Sequence, residues 1–190
     1  MLWLLKKSLH LFFWLRGWKF VENSIKDVDK AVVIVAGHTS NWDFLNGVAC
    51  LDIMNKPARF TIKKEWMFFP FNLFFGTLGA FPIDRSKKTS AVEQMVSYVN
   101  SRSQVILVVT PEGTRSRQDK WKTGFYHVAA AAKIPIGLGY IDYATKTCGV
   151  SQLIYPSGDY QKDLTNICRF YQKVHPKNPE KFALDSSVKL

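Results

Sequence analysis

The sequence predicts an α/β fold: a mostly parallel central sheet flanked by helices, preceded by an N-terminal amphipathic helix. Three observations carry that prediction. Apolar, β-branched runs at 31–36 and 104–110 stop at Gly37 and Pro111, as strands buried on both faces do. Segments of helical period lie between them, one opened by the capping box Ser90-Ala-Val-Glu93. No repeat, low-complexity tract or linker interrupts the 190 residues, a length suited to one domain. Alternating strands and helices favour parallel pairing through crossovers.

The first element is a helix within residues 1–22. On a helical wheel Lys6, Lys7 and His10 form a narrow polar strip beside Trp3 and Trp14, while Leu2, Leu4, Leu5, Leu9, Leu11, Phe12 and Leu15 cover most of the rest. That pattern predicts a helix lying in a membrane interface; packing on the core is the other reading. Lys6 and Lys7 interrupt the apolar run, unlike a secretory signal, and the uncharged stretch 8–15 is too short to span a bilayer.

After the strand at 31–36 the pattern gives a helix near 41–54 and a short strand at 58–62. Residues 66–83 are uncharged and long enough to resemble a spanning segment, but Pro70, Asn72, Gly76, Gly79 and Pro82 break it. A short aromatic helix and then a strand at 80–83 are expected instead. The capped helix follows, with Val92, Met95, Val96 and Val99 at i, i+3, i+4 and i+7. Strands are predicted at 104–110, 134–143 and 148–155, and helices at 124–133 and 163–174. From Pro176 onward prolines, charges and weak periodicity predict a surface tail at 176–190.

Composition narrows the function. Lys and Arg number 26 against 15 Asp and Glu, a net charge of +11, and aromatics make up 14%. Such a chain suits an anionic surface with an oily layer beneath it. Charge alone also permits nucleic acid, but no zinc-finger spacing or aromatic RNA-binding motif accompanies it, so no nucleic acid is expected. Cys50, Cys148 and Cys168 are scattered, which argues against a disulfide framework, a zinc site or a cysteine nucleophile and for a reducing compartment.

Chemistry-bearing residues fall where parallel sheets gather them, just beyond the strands' carboxyl ends. His38-Thr-Ser-Asn-Trp-Asp43 follows the first strong strand. If His38 sits on the turn and Asp43 in the first turn of the helix, Asp43 can accept a hydrogen bond from His38 Nδ1 and leave Nε2 as a base. Ser40-Asn-Trp-Asp43 is also a capping box by itself, so Asp43 has a purely structural reading. Pro111-Glu-Gly-Thr-Arg-Ser116 combines a tight turn with hydroxyls and a planar cation. Arg115 could grip a phosphate, aided by Lys122 before a predicted helix; a solvated basic turn is the alternative. Glu112, a lone acid among cations, would orient an acceptor hydroxyl or hold Arg115. Gly79 to Arg85 brings a second cation, Arg85, to a strand end. Ile134-Pro-Ile136 reads as a strand start. His10, His127 and His175 read as structural or surface residues.

These four segments, in this order and spacing, resemble the glycerolipid acyltransferase family of the 1-acylglycerol-3-phosphate acyltransferase type. The likeness covers about residues 31–140. It departs from the family's pattern in having Gly37 before the histidine, and in the short chain after the fourth motif. The resemblance implies transfer of a fatty acyl group from acyl-CoA or acyl carrier protein to a hydroxyl of a lysophospholipid, with no cofactor and no metal. By the same resemblance His38 is the general base and Asp43 orients it, while Arg85, Glu112, Gly113, Thr114, Arg115 and Lys122 bind the acceptor. Backbone N–H groups beyond His38 would stabilise the oxyanion. The expected organisation is an interface helix at 1–22, an acyltransferase domain at 23–175 and the tail, peripheral on the cytoplasmic face of an anionic membrane. A non-catalytic basic membrane-surface module with the same fold is the alternative.

Overall fold

The computed structural model describes residues 2–84, 86 and 90–190, the side chains of 2–6 and 22 excepted. Helix α1 (Leu2–Leu15) leads into strand β1 (Lys19–Asn23), β2 (Lys30–Val35), α2 (Asn41–Ile53) and β3 (Ala58–Lys63). Next come α3 (Phe71–Thr77), β4 (Ala80–Ile83), α4 (Ala91–Asn100) and β5 (Val105–Val109). The chain continues through α5 (Gly124–Ala132), β6 (Ile136–Asp142), β7 (Thr147–Ile154) and α6 (Tyr160–Tyr171).

The seven strands form one sheet in the order β1-β7-β6-β2-β5-β3-β4. Every pairing is parallel except β6 with β7, where a short turn allows an antiparallel hairpin. The central strands β2 and β5 are apolar on both faces because both faces are covered. Val32, Ile34, Leu107 and Leu138 pack under α4, α5 and α6, with Val99, Phe125 and Ile167 among their neighbours. On the opposite face Ala31, Val33 and Ile106 meet Met54 at the end of α2. Pro135, in the Ile134-Pro-Ile136 segment, lends its carbonyl to Val32 N–H at 3.0 Å, so that segment begins an interior strand.

Helix α1 packs on the protein by one side. Its Phe13 is buried in a small cluster with Trp18, Ala49, Cys50 and Cys148, and His10 Nε2 lies 2.8 Å from the Asp52 carboxylate on α2. Its other side leaves Leu11, Trp14 and Leu15 exposed. His10 therefore faces the protein, not a solvent-facing polar strip. No helix among the described residues is long and apolar enough to cross a membrane.

Three features differ from expectation. Strand β1 (Lys19–Asn23) lies beside β7 and takes in residues 19–22, assigned to the interface helix. Helix α6 begins three residues early, because the Asp159 side chain caps it by accepting from Lys162 N–H. Residues 176–190 are irregular, as expected, yet tied down. Asp185 is buried and accepts from Trp121 N–H at 2.7 Å, Ala183 accepts from Trp121 Nε1, and Phe182, Leu184 and Val188 pack on the core.

Candidate active site

The carboxyl ends of β2 and β5 lie side by side, so the segments 36–40 and 110–113 meet. Gly37 adopts a φ of 83°, turning the chain sharply off β2. A Cβ at Gly37 would lie 3.3 Å from Pro176, so the backbone and the C-terminal stretch together demand glycine there. His38 follows, largely covered, at 18% side-chain exposure. Ser40 caps α2 in a full capping box with Asp43 at the third helical position.

Asp43 completes the capping box and also lies within ion-pair range of His38. Its Oδ2 accepts from Thr39 N–H at 2.9 Å and Ser40 N–H at 2.8 Å. The same oxygen lies 3.4 Å from His38 Nδ1, an ion-pair contact. Its Oδ1 accepts from the Tyr143 hydroxyl at 2.6 Å. The cap fixes the carboxylate in the first turn, and that placement brings it to the imidazole on the turn before.

Glu112 does not reach out to Arg115 as the sequence suggested. It is buried, and its Oε1 accepts from Gly37 N–H at 2.6 Å, stapling the β5 loop to the β2 loop beside His38. Its Oε2 has no hydrogen-bond partner among the described residues. Burial pushes the carboxyl above the ordinary glutamate range, opposed by backbone N–H groups of Glu112, Gly37 and His38 and by the His38 charge. Above the ordinary glutamate pKa the unfolded chain sheds this proton while the native state keeps it, so native stability falls as pH rises through that window. Glu112→Gln removes the titration while keeping an acceptor for Gly37. The thermal midpoint of the variant relative to the parent is expected to climb as pH rises above the ordinary glutamate range. A pH-independent difference would show that the carboxyl titrates normally.

Gly113, with a φ of 66°, turns the loop beneath Lys122. A Cβ there would lie 2.5 Å from Lys122 Nζ, and Lys122 N–H bonds the Pro111 carbonyl at 2.8 Å. The ammonium thus lies over the Pro-Glu-Gly turn. Gly113 and Lys122 line a cleft of about 250 Å³ with Thr110, Pro111, Lys63 and Val92. His38 is not among its walls; Glu112, between Pro111 and Gly113 in sequence, bonds Gly37 N–H next to His38. Thr114 and Arg115 are exposed on the outer part of the loop. Arg85 lies outside the described residues. Just before it, the Lys64 ammonium and then Ser86 hold Asp84 well below the usual carboxylate range, with Lys64 Nζ at 2.8 Å.

Several of the backbone donors near the start of α2 have partners within the protein. N–H groups of Gly37, Thr39, Ser40 and Trp42 bond Glu112, Asp43, Asp43 and Ser40 respectively. Capping the helix uses the donors that a free helix end would offer. Two partners of the site were invisible to motif reading. Tyr143 is 100 residues from Asp43, and Asn178, 139 residues from Thr39, bonds both its Oγ1 and its carbonyl. The three cysteines are buried.

Comparison with known proteins agrees with this architecture. The sequence model of the Acyltransferase family matches residues 19–137, from β1 through the start of β6. Over 113 residues the chain is 34% identical to the 1-acyl-sn-glycerol-3-phosphate acyltransferase of Escherichia coli K12. It is 33% identical, over the same length, to proteins of that name from Salmonella typhimurium and Salmonella typhi. Those alignments cover 55% of this chain and 44% of each relative, so the chain matches less than half the length of these proteins. With a match that spans His38, Asp43 and Glu112 and covers more than half of its length, this chain belongs to the acyltransferase family.

Proposed function

We propose that this chain is a membrane-associated O-acyltransferase. It would move a fatty acyl group from a thioester, acyl-CoA or acyl carrier protein, to a hydroxyl of a lysophospholipid such as 1-acylglycerol 3-phosphate. The observation that carries the reading is the His38 Nδ1–Asp43 Oδ2 contact of 3.4 Å at the carboxyl edge of a parallel sheet. Names of the similar proteins support the acceptor class.

In this reading Asp43 holds the imidazole so that Nε2 takes the proton of the acceptor hydroxyl. The hydroxyl oxygen attacks the thioester carbonyl, and the tetrahedral oxyanion collapses to the ester. The C–S bond breaks, and the imidazolium returns its proton to the departing thiolate. The acceptor is itself the nucleophile, so no covalent acyl-enzyme forms. Lys122, over the Gly113 turn, and Arg115 supply cations for the acceptor's phosphate. The reaction needs no resident cofactor.

Exposed apolar groups support a peripheral position on the cytoplasmic face of an anionic membrane. Trp14 is 70% exposed and Phe69 76%, with Leu11, Leu15, Trp66, Phe68 and Leu73 also uncovered, on a chain of net charge +11. Rings at an interface with cations around them suit anionic lipid. The same surface would serve a non-catalytic binding module, and turnover separates the two.

The purified chain is expected to convert 1-acylglycerol 3-phosphate and an acyl thioester to the diacyl product in anionic vesicles, read by mass spectrometry. Lys122→Met should raise KM for that acceptor about tenfold and leave a phosphate-free monoacylglycerol nearly unaffected. Flotation should follow anionic-lipid content. No product with either donor class would overturn the enzymatic reading; equal loss on both acceptors would remove the phosphate clamp.

A further inference from the structure

We propose that Tyr143 is a positioning residue for the His38–Asp43 pair, setting the basicity of the imidazole through a buried hydrogen bond to Asp43. The inference rests on the acyl-transfer reading for its kinetic consequence only, since the geometry is independent of it.

Tyr143 lies just past β6, beyond the segment matched by the family model. Its own N–H bonds the His175 carbonyl at 2.8 Å, and its ring meets Trp18 edge-on at 4.9 Å. The ring is therefore held from two sides. Its hydroxyl lies 2.6 Å from Asp43 Oδ1 and 3.3 Å from Asn46 Nδ2. A carboxylate can only accept, so the phenol's one proton points at Asp43, and Asn46 must donate to the phenol oxygen. Asp43 thus has three donors besides the imidazole: Thr39 and Ser40 on Oδ2 and Tyr143 on Oδ1. The Oδ1 bond blocks rotation of the carboxyl group and keeps Oδ2 toward His38.

A carboxylate that already accepts a short phenolic bond attracts a neighbouring imidazolium less than a bare one does. Burial, and then the Asp43 carboxylate, push the phenol far above its ordinary range, so it remains a donor throughout the working pH range. The charged groups facing this cluster are Asp43 on α2, Glu112 on the β5 loop and Arg16 after α1. None of them is altered by the test.

Tyr143→Phe removes the hydroxyl and keeps the ring against Trp18. The His38 imidazole titration, followed by NMR and assigned with His38→Gln, should move up by about half a pH unit, with exposed His127 unmoved. In the acyl-transfer assay kcat should fall about fivefold to tenfold with KM nearly constant, and the acid limb of the rate profile should move the same way. Asn46→Ala weakens the phenol as a donor and should move His38 in the same direction by less; it replaces Tyr143→Phe should that variant not fold. An unmoved His38 midpoint in a folded variant would overturn the proposal, as would a rate loss that only follows a lower thermal midpoint. A moved midpoint in a chain whose parent transfers no acyl group would uphold the positioning and overturn the acyl-transfer reading alone.

Discussion

His38→Ala should lower acyl-transfer turnover by about two to four orders of magnitude, the contribution typical of a positioned base. The fold should survive, because His38 sits on the loop after β2 and its side-chain ion-pair partner Asp43 is 3.4 Å away. Removing the imidazole leaves Asp43 with its three donors intact, so the cap of α2 stays closed. Thermal midpoint and vesicle flotation are expected to match the parent while product formation disappears. Turnover near the parental level would mean that another group takes the proton. Flotation lost together with turnover would mean that the substitution disturbed the whole surface.

Asp43→Ala should cost both activity and stability, because one carboxylate does two jobs. Losing a helix cap costs about 1 kcal/mol. Leaving the buried Tyr143 hydroxyl without its acceptor adds roughly 1–3 kcal/mol. For a chain of this size the sum corresponds to a thermal midpoint lowered by roughly 5–15 °C. Turnover should fall at least as far as in His38→Ala. Asp43→Asn separates the two jobs. Its amide oxygen can still accept from Thr39 and Ser40, so the stability loss should be smaller, but no anion remains to support the imidazolium. A midpoint near the parent with turnover still reduced about a hundredfold or more is the expected outcome. Parental turnover in Asp43→Asn would reduce Asp43 to a helix cap.

Much of this site could be read from the sequence because its central pair is local. His38 and Asp43 are separated by one turn and one helix start, and the capping box at Ser40 announces that start. Strands β2 and β5 were legible because a strand covered on both faces must be apolar at every position. What could not be read depends on pairing across the chain. Strand β1 has the mixed sequence Lys-Phe-Val-Glu-Asn and becomes a strand only by lying beside β7. Helix α6 begins with polar residues whose only signal is the Asp159 cap, so apolar periodicity places it too late. Glu112 looked like a partner for Arg115 because both sit in one turn, yet the turn sends the acid inward to Gly37. Tyr143 and Asn178 join the site from 100 and 139 positions away, and no spacing rule reaches so far.

The stretch that carries Asn178 also couples the first loop of the site to a distant part of the chain. Pro176 packs against the turn at Gly37, and Asn178 clasps Thr39 with two bonds. Without those residues Glu112 still holds Gly37 and Asp43 still holds Thr39 and Ser40, but Thr39 loses both bonds to Asn178. Contacts so distant in sequence close late, after the entropy of the intervening loop has been overcome. The loop bearing the imidazole takes part of its order from residues outside the segment that the family model matches.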